Sequence, residues 1–273
     1  MLIRVLPFAV KKMARTSTNL LDATGVTFAY GDKPVLRDVR IALTPGEVVA
    51  LIGPNGSGKS TLIKSLLGHL PASGEIAWDG RPMRDWRRRD LARFAAYLPQ
   101  SPAFDAQQRV ADVLRMGRAP YWGPFGLESP RDVEVVARVV DELRLGEWTG
   151  RRMDEISGGQ RQLVYVARAL VQEPRALLLD EPNTYLDLRH QVELAQLMRR
   201  LARERSLGLL VASHDLNLAA AFADRLVLLN EGSVAAEGSA EVVLDPELLT
   251  RVYGVRMECV TREGKPPVLV PIA

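Results

Sequence analysis

The chain has 273 residues and a formal net charge of +3, and its 47% hydrophobic and 25% charged residues are typical of a globular protein and exclude a disordered one. Its single cysteine, Cys259, excludes an intrachain disulfide and suits a reducing compartment. No apolar run approaches the roughly 18 residues that a membrane-spanning helix needs, and so mild a positive charge does not by itself indicate a nucleic-acid partner.

The first 18 residues are expected to form a flexible N-terminal extension. They include a short apolar patch that Arg4 and Pro7 interrupt, and the positive charges lie on the wrong side for a secretory signal peptide. Met13 also begins a plausible protein, so the sequence leaves open whether residues 1–12 belong to the natural chain.

A phosphate-binding motif follows two predicted strands, over residues 20–30 and 35–43. Gly53–Thr61 reads GPNGSGKST and matches the pattern G-x-x-x-x-G-K-[ST] in full. The buried-type strand 48–52 leads into this stretch and the helix-forming residues 59–67 lead out of it, which is the context that a P-loop requires.

The residue types of this loop suit the phosphates of a nucleotide. Its glycines let several backbone N–H groups point at one spot, and the following helix adds its positive N-terminal end. Lys59 can reach the β- and γ-phosphates, and the Ser60 hydroxyl can bind Mg²⁺. A glycine-rich turn that binds nothing is the alternative, and the complete set of fixed positions argues against it. The candidate nucleotide-binding residues are Gly53, Pro54, Asn55, Gly56, Ser57, Gly58, Lys59, Ser60 and Thr61.

Residues 101–153 contain no convincing strand, and we expect them to form an inserted α-helical subdomain. One helix is predicted over residues 110–116. Ser129 begins another, with Pro130 in its first turn and Asp132 in the capping-box position. The apolar face of this second helix is predicted to consist of Val133, Val136, Ala137, Val140 and Leu143.

Strands and helices alternate through the second half of the chain, which predicts an α/β fold with a mostly parallel sheet and helices on both faces. The residues from 256 to 273 are expected to form a C-terminal tail, with a hairpin turn at Glu263-Gly264. The predicted strands span residues 176–179, 207–212 and 225–229, and the predicted helices span residues 160–171, 187–205 and 216–223.

Two carboxylates, Asp180 and Glu181, follow the apolar strand at residues 176–179. A strand lying beside the P-loop strand would bring Asp180 to the Mg²⁺ ion, and Glu181 could then orient or deprotonate the attacking water. Ordinary surface acids at a strand end are a credible alternative for this stretch alone. The intact P-loop favours the catalytic interpretation.

A second candidate phosphate site lies at residues 156–160, which read ISGGQ ahead of a predicted helix. Ser157 and two glycines before a helix form a nest of backbone N–H groups. Taken alone, such a stretch is more often a plain serine N-cap with a flexible lead-in. Since the chain has only one P-loop, this nest would need a γ-phosphate from elsewhere.

Together these motifs resemble those of the ATP-binding subunits of ABC transporters, and the resemblance covers roughly residues 18–260. The ISGGQ stretch is similar to the family signature LSGGQ, with Ile156 in place of leucine. The resemblance implies an ABC ATPase domain over residues 19–255, with a P-loop NTPase core, an N-terminal antiparallel β subdomain and the inserted helical subdomain. The cofactors that it implies are ATP and Mg²⁺.

By this resemblance, Asp180 matches the Walker B aspartate and Glu181 the catalytic glutamate. Gln100 matches the Q-loop glutamine, His214 the switch histidine that contacts the γ-phosphate, and Tyr30 the aromatic residue that stacks on adenine. Each of these last three, taken alone, has a plainer interpretation as a loop, helix-start or edge-strand residue. They are favoured because six elements occur in the order of the family. The implied Mg²⁺ ligands are Ser60, Gln100 and Asp180.

The resemblance also implies a head-to-tail homodimer. Each ATP would lie between the P-loop of one copy and the signature residues of the other, namely Ser157, Gly158, Gly159 and Gln160. The loop at residues 183–187, NTYLD, matches the D-loop at the dimer interface but carries Tyr185 where many members have a smaller residue or histidine. The role of Tyr185 is therefore left open.

The resemblance implies a separate transmembrane permease, an indirect link to a substrate-binding protein, no nucleic-acid partner, and a peripheral position on the cytoplasmic face of the inner membrane. Less specific similarities point to importers of metal chelates, and an iron–siderophore complex is ranked before haem and cobalamin as the cargo. These similarities lie over residues 116–126, 187–194, 213–232 and 247–255.

The alternative to transport is a soluble ABC-type ATPase acting in DNA repair, chromosome condensation or translation. Such proteins would require a long coiled-coil insertion or two ATPase domains in one chain, and this chain has only an insert of ~50 residues. An ordinary P-loop kinase would leave ISGGQ and His214 unexplained.

Overall fold

A computed structural model of the protein describes residues 19–123, 125–184 and 186–272, so the expectations for residues 1–18 and for Tyr185 lie outside it. Among the described residues, no helix combines the length and the hydrophobicity needed to cross a membrane. The strands are β1 (Leu21–Tyr30), β2 (Lys33–Leu43), β3 (Val48–Ile52), β4 (Ser73–Trp78), β5 (Arg81–Pro82), β6 (Ala95–Leu98), β7 (Ala176–Asp180), β8 (Gly208–Ala212), β9 (Arg225–Asn230), β10 (Ser233–Gly238), β11 (Met257–Arg262) and β12 (Lys265–Pro271). The α-helices are α1 (Lys59–Leu66), α2 (Arg88–Phe94), α3 (Val110–Met116), α4 (Pro130–Glu142), α5 (Gly158–Leu170), α6 (Leu188–Arg205), α7 (Leu216–Phe222), α8 (Ala240–Val243) and α9 (Pro246–Tyr253).

The central sheet has the strand order β10-β9-β3-β8-β7-β6, and all neighbouring pairs are parallel except β10 with β9. Strand β3 is buried along its whole length, as expected for a parallel strand with helices on both faces. Strand β8 lies between β3 and β7, so the prediction that β7 lies directly beside the P-loop strand is wrong. The chain runs from β7 through α6 to β8. No local sequence signal indicates that β8 then takes the position between β3 and β7. Both β7 and β3 still end at the same edge of the sheet.

A second, antiparallel sheet of order β2-β1-β4-β5 covers the P-loop helix α1. Its inward side chains, among them Leu36 and Trp78, are fully buried with residues of α1 and of the central sheet. The indole Nε1 of Trp78 donates a hydrogen bond of 2.9 Å to the carbonyl oxygen of Leu66 in α1. The predicted α/β fold, with a parallel core and an N-terminal antiparallel sheet, is confirmed.

Helix α4 begins as the sequence predicts, and its predicted apolar face is correct in part. The Ser129 side chain accepts a hydrogen bond from the Asp132 backbone N–H and the Asp132 side chain reaches back, which completes the capping box. Val133, by contrast, is 59% exposed, whereas Val135 and Val139 are buried. Of the predicted apolar face, Leu143 is buried and Val136 and Val140 pack against the core, so the prediction is wrong only for the exposed Val133 and Ala137. The buried side of the helix also contains the Asp132 carboxylate.

Arg118 accounts for this buried carboxylate. Its side chain is 1% exposed, and its Nε donates to Asp132 Oδ1 at 2.8 Å. Its Nη1 donates to the Val171 carbonyl oxygen at 2.6 Å, and the guanidinium stacks 3.7 Å from the ring centroid of Tyr121. Arg118 thus joins the loop after α3 to the start of α4 and the end of α5.

The C-terminal elements pack on α7 and on the face of β3 and β9 beside it. Strands β11 and β12 pair as an antiparallel hairpin. The Asn217 side chain of α7 donates from Nδ2 to the Leu269 carbonyl oxygen at 3.1 Å and accepts from the Leu269 N–H at 2.8 Å. The hairpin is therefore attached to the helix that follows His214.

Replacing Arg118 by methionine should destabilise the protein. Removing one member of a buried ion pair costs about 3–5 kcal/mol, because the remaining charge is left without compensation. We expect the Arg118→Met variant to lose about 3 kcal/mol of unfolding free energy, measured by equilibrium urea denaturation. Burial alone would raise the pKa of Asp132, but the Ser129 hydrogen bonds and Arg118 lower it overall. The loss should therefore be complete above about pH 4 and shrink as the pH falls through the lower, folded pKa.

The matched control is Arg115→Met, three residues earlier. Arg115 is 53% exposed and pairs with Glu128 at 2.7 Å, and exposed pairs contribute at most about 1 kcal/mol. Equal losses of stability in the two variants would contradict a structural role for the buried cluster.

Candidate nucleotide-binding site

The P-loop lies where β3 meets α1, against the end of β9. Gly53 has a φ of +146°, and a Cβ atom there would lie 2.1 Å from the Leu229 carbonyl oxygen, so only glycine fits. Within the described part of the chain, the buried Ser57 hydroxyl has no hydrogen-bonding partner. A loop with an unpaired buried hydroxyl and glycines at its turns has the groups that a phosphate would engage.

Lys59 is folded back over its own loop. Its side chain is buried, and Nζ donates to the carbonyl oxygens of Gly53 at 2.7 Å and Pro54 at 3.0 Å. Burial lowers the pKa of Lys59, and the nearby Glu181 and Asp180 carboxylates partly oppose that shift. The ammonium group of Lys59 thus donates to these two carbonyl oxygens. In an ATP complex it would donate to oxygens of the β- and γ-phosphates instead.

A cavity of about 850 Å³ opens above the loop and contains many of the predicted residues. Its volume and its mixture of cationic, hydroxyl and carboxylate groups suit a nucleoside triphosphate. The predicted residues that line it are Asn55, Gly56, Gly58, Lys59, Ser60, Thr61, Gln100, Glu181 and His214.

Ser60 lines this cavity, and its hydroxyl is hydrogen-bonded to the buried carboxylate of Asp180. The Ser60 hydroxyl donates to Asp180 Oδ1 at 2.9 Å, and Asp180 is almost fully buried. Burial raises the pKa of Asp180, and the Ser60 hydrogen bond opposes that shift. One hydroxyl and one carboxylate fit Mg²⁺, which protein sites hold by one or two carboxylates together with substrate phosphates.

The Asp180 carboxylate also has a neighbour that the sequence reasoning missed. The Tyr97 hydroxyl donates to Asp180 Oδ2 at 3.4 Å. Burial raises the pKa of Tyr97, so the hydroxyl is protonated and acts as the donor. Tyr97 lies three residues before the predicted Gln100, on β6, but nothing local links it to Asp180.

Glu181 is the centre of a cluster of polar side chains. Its Oε2 accepts from Gln100 Nε2 at 2.8 Å and lies 3.6 Å from His214 Nδ1 and 3.4 Å from the Thr184 hydroxyl. Glu181 has a φ of +50°, uncommon for a non-glycine residue, and its N–H donates to the Ala212 carbonyl oxygen at 3.0 Å. A strained backbone directs the carboxylate into the cavity, where a water could be held between it, Gln100 and His214.

Tyr30 lies at the end of β1 and is 52% exposed. Its ring packs edge-on against Phe28, with centroids 4.8 Å apart. Tyr30 does not line the cavity, but it pairs across the β1–β2 turn with Lys33, which does.

The signature residues lie outside this cavity. Ser157 caps α5, with its Oγ accepting from the Gln160 N–H at 3.2 Å and its own N–H donating to Gln160 Oε1 at 2.9 Å. A Cβ atom on Gly159 would lie 3.0 Å from the ring of His190, whose Nδ1 lies 2.7 Å from Asp187 Oδ1. The Ser157 cap is therefore intact, and none of residues 157–160 lines the cavity above the P-loop of the same chain.

Further residues that the sequence reasoning missed surround the cavity. Lys33, Arg37 and Glu231 line it. The N–H of Gly232 donates to the Ser57 carbonyl oxygen at 3.1 Å, and the Gly232 carbonyl oxygen accepts from the Arg37 N–H at 2.8 Å. The turn between β9 and β10 thus supports the P-loop. In the sequence, Gly232 indicates a turn at this position but does not indicate its contact with the P-loop.

Comparison with known proteins agrees with this geometry. The family model for ABC transporters matches residues 36–184. The chain is 37% identical over 251 residues to the iron(3+)-hydroxamate import ATP-binding protein FhuC of Bacillus subtilis, covering 91% of this chain and 93% of that protein. It is 42% identical over 243 residues to the hemin import ATP-binding protein HmuV of Streptomyces coelicolor, covering 88% of this chain and 85% of that protein.

A solved structure shares the fold over nearly the whole chain. It is an inward-facing ABC transporter assigned to the metal-chelate type, and it matches with a TM-score of 0.82 and 27% identity, covering 94% of this chain and 98% of that chain. The chain therefore belongs to the ABC transporter family, as an ATP-binding subunit that hydrolyses ATP.

Proposed function

We propose that this chain powers the import of a metal chelate through a separate membrane permease, with an iron–siderophore complex ranked before haem and cobalamin. The main support for the transport mechanism is that the two phosphate-binding segments, the P-loop and the signature, do not line the same cavity within one chain. The cavity of one chain is lined by groups for phosphate, metal and water, whereas Ser157 and its neighbours are not part of its lining. The names of the relatives, one for iron-hydroxamate and one for hemin, support the class of cargo.

Within one chain, the P-loop and Lys59 bind the phosphates of ATP. Lys59 would exchange the Gly53 and Pro54 carbonyl oxygens for phosphate oxygens. Ser60 and Asp180, with Gln100, would hold Mg²⁺, which when bound supplies positive charge at the β- and γ-phosphate oxygens. Tyr30 stacks on the adenine ring.

Glu181 acts as the general base in the hydrolysis step. Its Oε2 takes a proton from the attacking water while Gln100 and His214, both already directed at this oxygen, orient that water and the γ-phosphate. The one thing that the described part of this chain does not supply is a set of hydrogen-bond donors for the side of the γ-phosphate that points out of the cavity.

A second copy of the chain supplies those donors. In a head-to-tail homodimer, the Ser157 hydroxyl and the N–H groups of Gly158 and Gly159 face the γ-phosphate, with Gln160 completing the cap of that helix. Because the N-terminus of α5 carries partial positive charge, it favours such an anion. ATP thereby holds the two copies together.

The partner at the membrane is a permease, beside the cytoplasmic face of the inner membrane. The domain over residues 19–255 would close on ATP, and its helical subdomain, residues 101–153, would carry that movement to the permease near Gln100. A substrate-binding protein takes part only indirectly. The ATPase chain does not touch the cargo, so the binding protein sets the choice of chelate.

Replacing Glu181 by glutamine should separate ATP binding from hydrolysis. The amide keeps the shape and the contacts with Gln100 but cannot accept a proton, so we expect hydrolysis to fall by about 100-fold or more. MgATP should bind and should accumulate a dimer, measured by light scattering. The matched control is Glu204→Gln on the exposed side of α6, which should hydrolyse ATP normally. A Glu181→Gln variant that stays monomeric at saturating MgATP would contradict the ATP-bound dimer.

A mixing experiment should show that each site is built from two chains. Lys59→Ala removes the phosphate-binding cation but leaves the signature intact, and Ser157→Glu does the reverse by placing a carboxylate beside the γ-phosphate. Neither variant should hydrolyse ATP alone. Their mixture should, because each mixed dimer has one site with Lys59 from one chain and Ser157 from the other.

The Ser157→Glu variant should still bind ADP, which shows that its P-loop is folded. If the mixture stays inactive while mixed dimers form, the two chains do not share a site and the head-to-tail arrangement is wrong.

A further inference from the structure

We propose that Tyr97 is a positioning residue for the metal-binding carboxylate Asp180. The proposal rests on the proposed nucleotide site, and it adds a residue that none of the motifs contains. Tyr97 does not touch the nucleotide. It acts by holding Asp180 in the orientation in which Asp180 and Ser60 face the metal ion together.

The two oxygens of Asp180 are held from opposite sides. Oδ1 accepts from the Ser60 hydroxyl at 2.9 Å and Oδ2 from the Tyr97 hydroxyl at 3.4 Å. Strand register explains the second contact, because Tyr97 on β6 pairs with Leu178 on β7, two residues before Asp180. Asp180 is only 2% exposed, so water has little access to replace either donor.

The Tyr97 ring is half-buried. It forms part of the wall of a separate cavity of about 790 Å³, together with His69, Met83 and Trp86. The His69 ring meets Tyr97 edge-on, with centroids 5.7 Å apart. The ring therefore borders a cavity that lies apart from the nucleotide site, and the hydrogen bond of its hydroxyl to Asp180 is what joins it to the metal site.

Such an outer hydrogen bond has a measurable consequence. Carboxylates that ligate metals are themselves hydrogen-bonded, and loss of the outer partner typically lowers metal affinity or activity by about 10- to 100-fold. The 3.4 Å contact is a long one, so the smaller loss is expected. A buried carboxylate oxygen without its donor is also free to turn away from Ser60.

The test is Tyr97→Phe in the full chain, which removes the hydroxyl and keeps the ring. The probe is Mn²⁺ in place of Mg²⁺, with its affinity for the ADP-bound protein measured by electron paramagnetic resonance. We expect this affinity to fall by about 10-fold. The affinity for ADP measured without a metal ion should stay at the wild-type value, because the P-loop is untouched.

The matched control is Tyr165→Phe. Tyr165 is a buried tyrosine whose hydroxyl donates to the Ala103 carbonyl oxygen at 3.5 Å and not to Asp180. This variant should bind Mn²⁺ like the wild type. If Tyr97→Phe also binds Mn²⁺ like the wild type, the proposal is overturned, and it is equally overturned if metal-free ADP binding falls as far as Mn²⁺ binding. A wild-type chain whose ADP complex binds no Mn²⁺ would instead refute the metal site of the proposed function.

Discussion

The common edge of three parallel strands is the constraint on which the site depends. Strands β3, β8 and β7 lie side by side and end together, and each is followed by a functional segment. The P-loop follows β3, His214 follows β8, and Asp180 with Glu181 end β7. Backbone hydrogen bonding between strands therefore fixes distances between side chains that are more than a hundred residues apart in the chain, such as the 2.9 Å between Ser60 and Asp180.

Burial at that edge explains the arrangement of charges. Lys59 and Asp180 are both buried, and a buried charge is costly unless it is paired. Both groups are hydrogen-bonded within the chain. Lys59 donates to backbone carbonyl oxygens, and Asp180 accepts from hydroxyl groups. The phosphates of ATP would replace the carbonyl oxygens at Lys59, and a metal ion would bind Asp180 together with Ser60 while Tyr97 keeps its contact with Asp180.

The sequence predicted the parts of the site that are set by short-range geometry. The P-loop, the capped starts of α4 and α5, and the acids at the end of β7 all depend on a few adjacent residues. It did not predict what depends on distant packing. The position of β8 beside β3 follows from the path of α6, and the burial of Asp132 in α4 follows from its pairing with Arg118. The roles of Tyr97 and Gly232 were not predicted for the same reason, since each contacts a residue far away in sequence.

The separation of the signature from the P-loop has an energetic consequence if two copies share each ATP. A ligand shifts a conformational equilibrium only by the difference between its affinities for the two states. In the open state ATP contacts the P-loop cavity alone, and in the closed dimer it also contacts the capped N-terminus of α5. Those added contacts set the upper limit on the free energy that ATP binding can deliver to the permease. Contacts that are equal in both states, such as those of Lys59, increase affinity but move nothing. In such a dimer, hydrolysis would remove the γ-phosphate that the second copy binds, and with it the added contacts that favour the closed state.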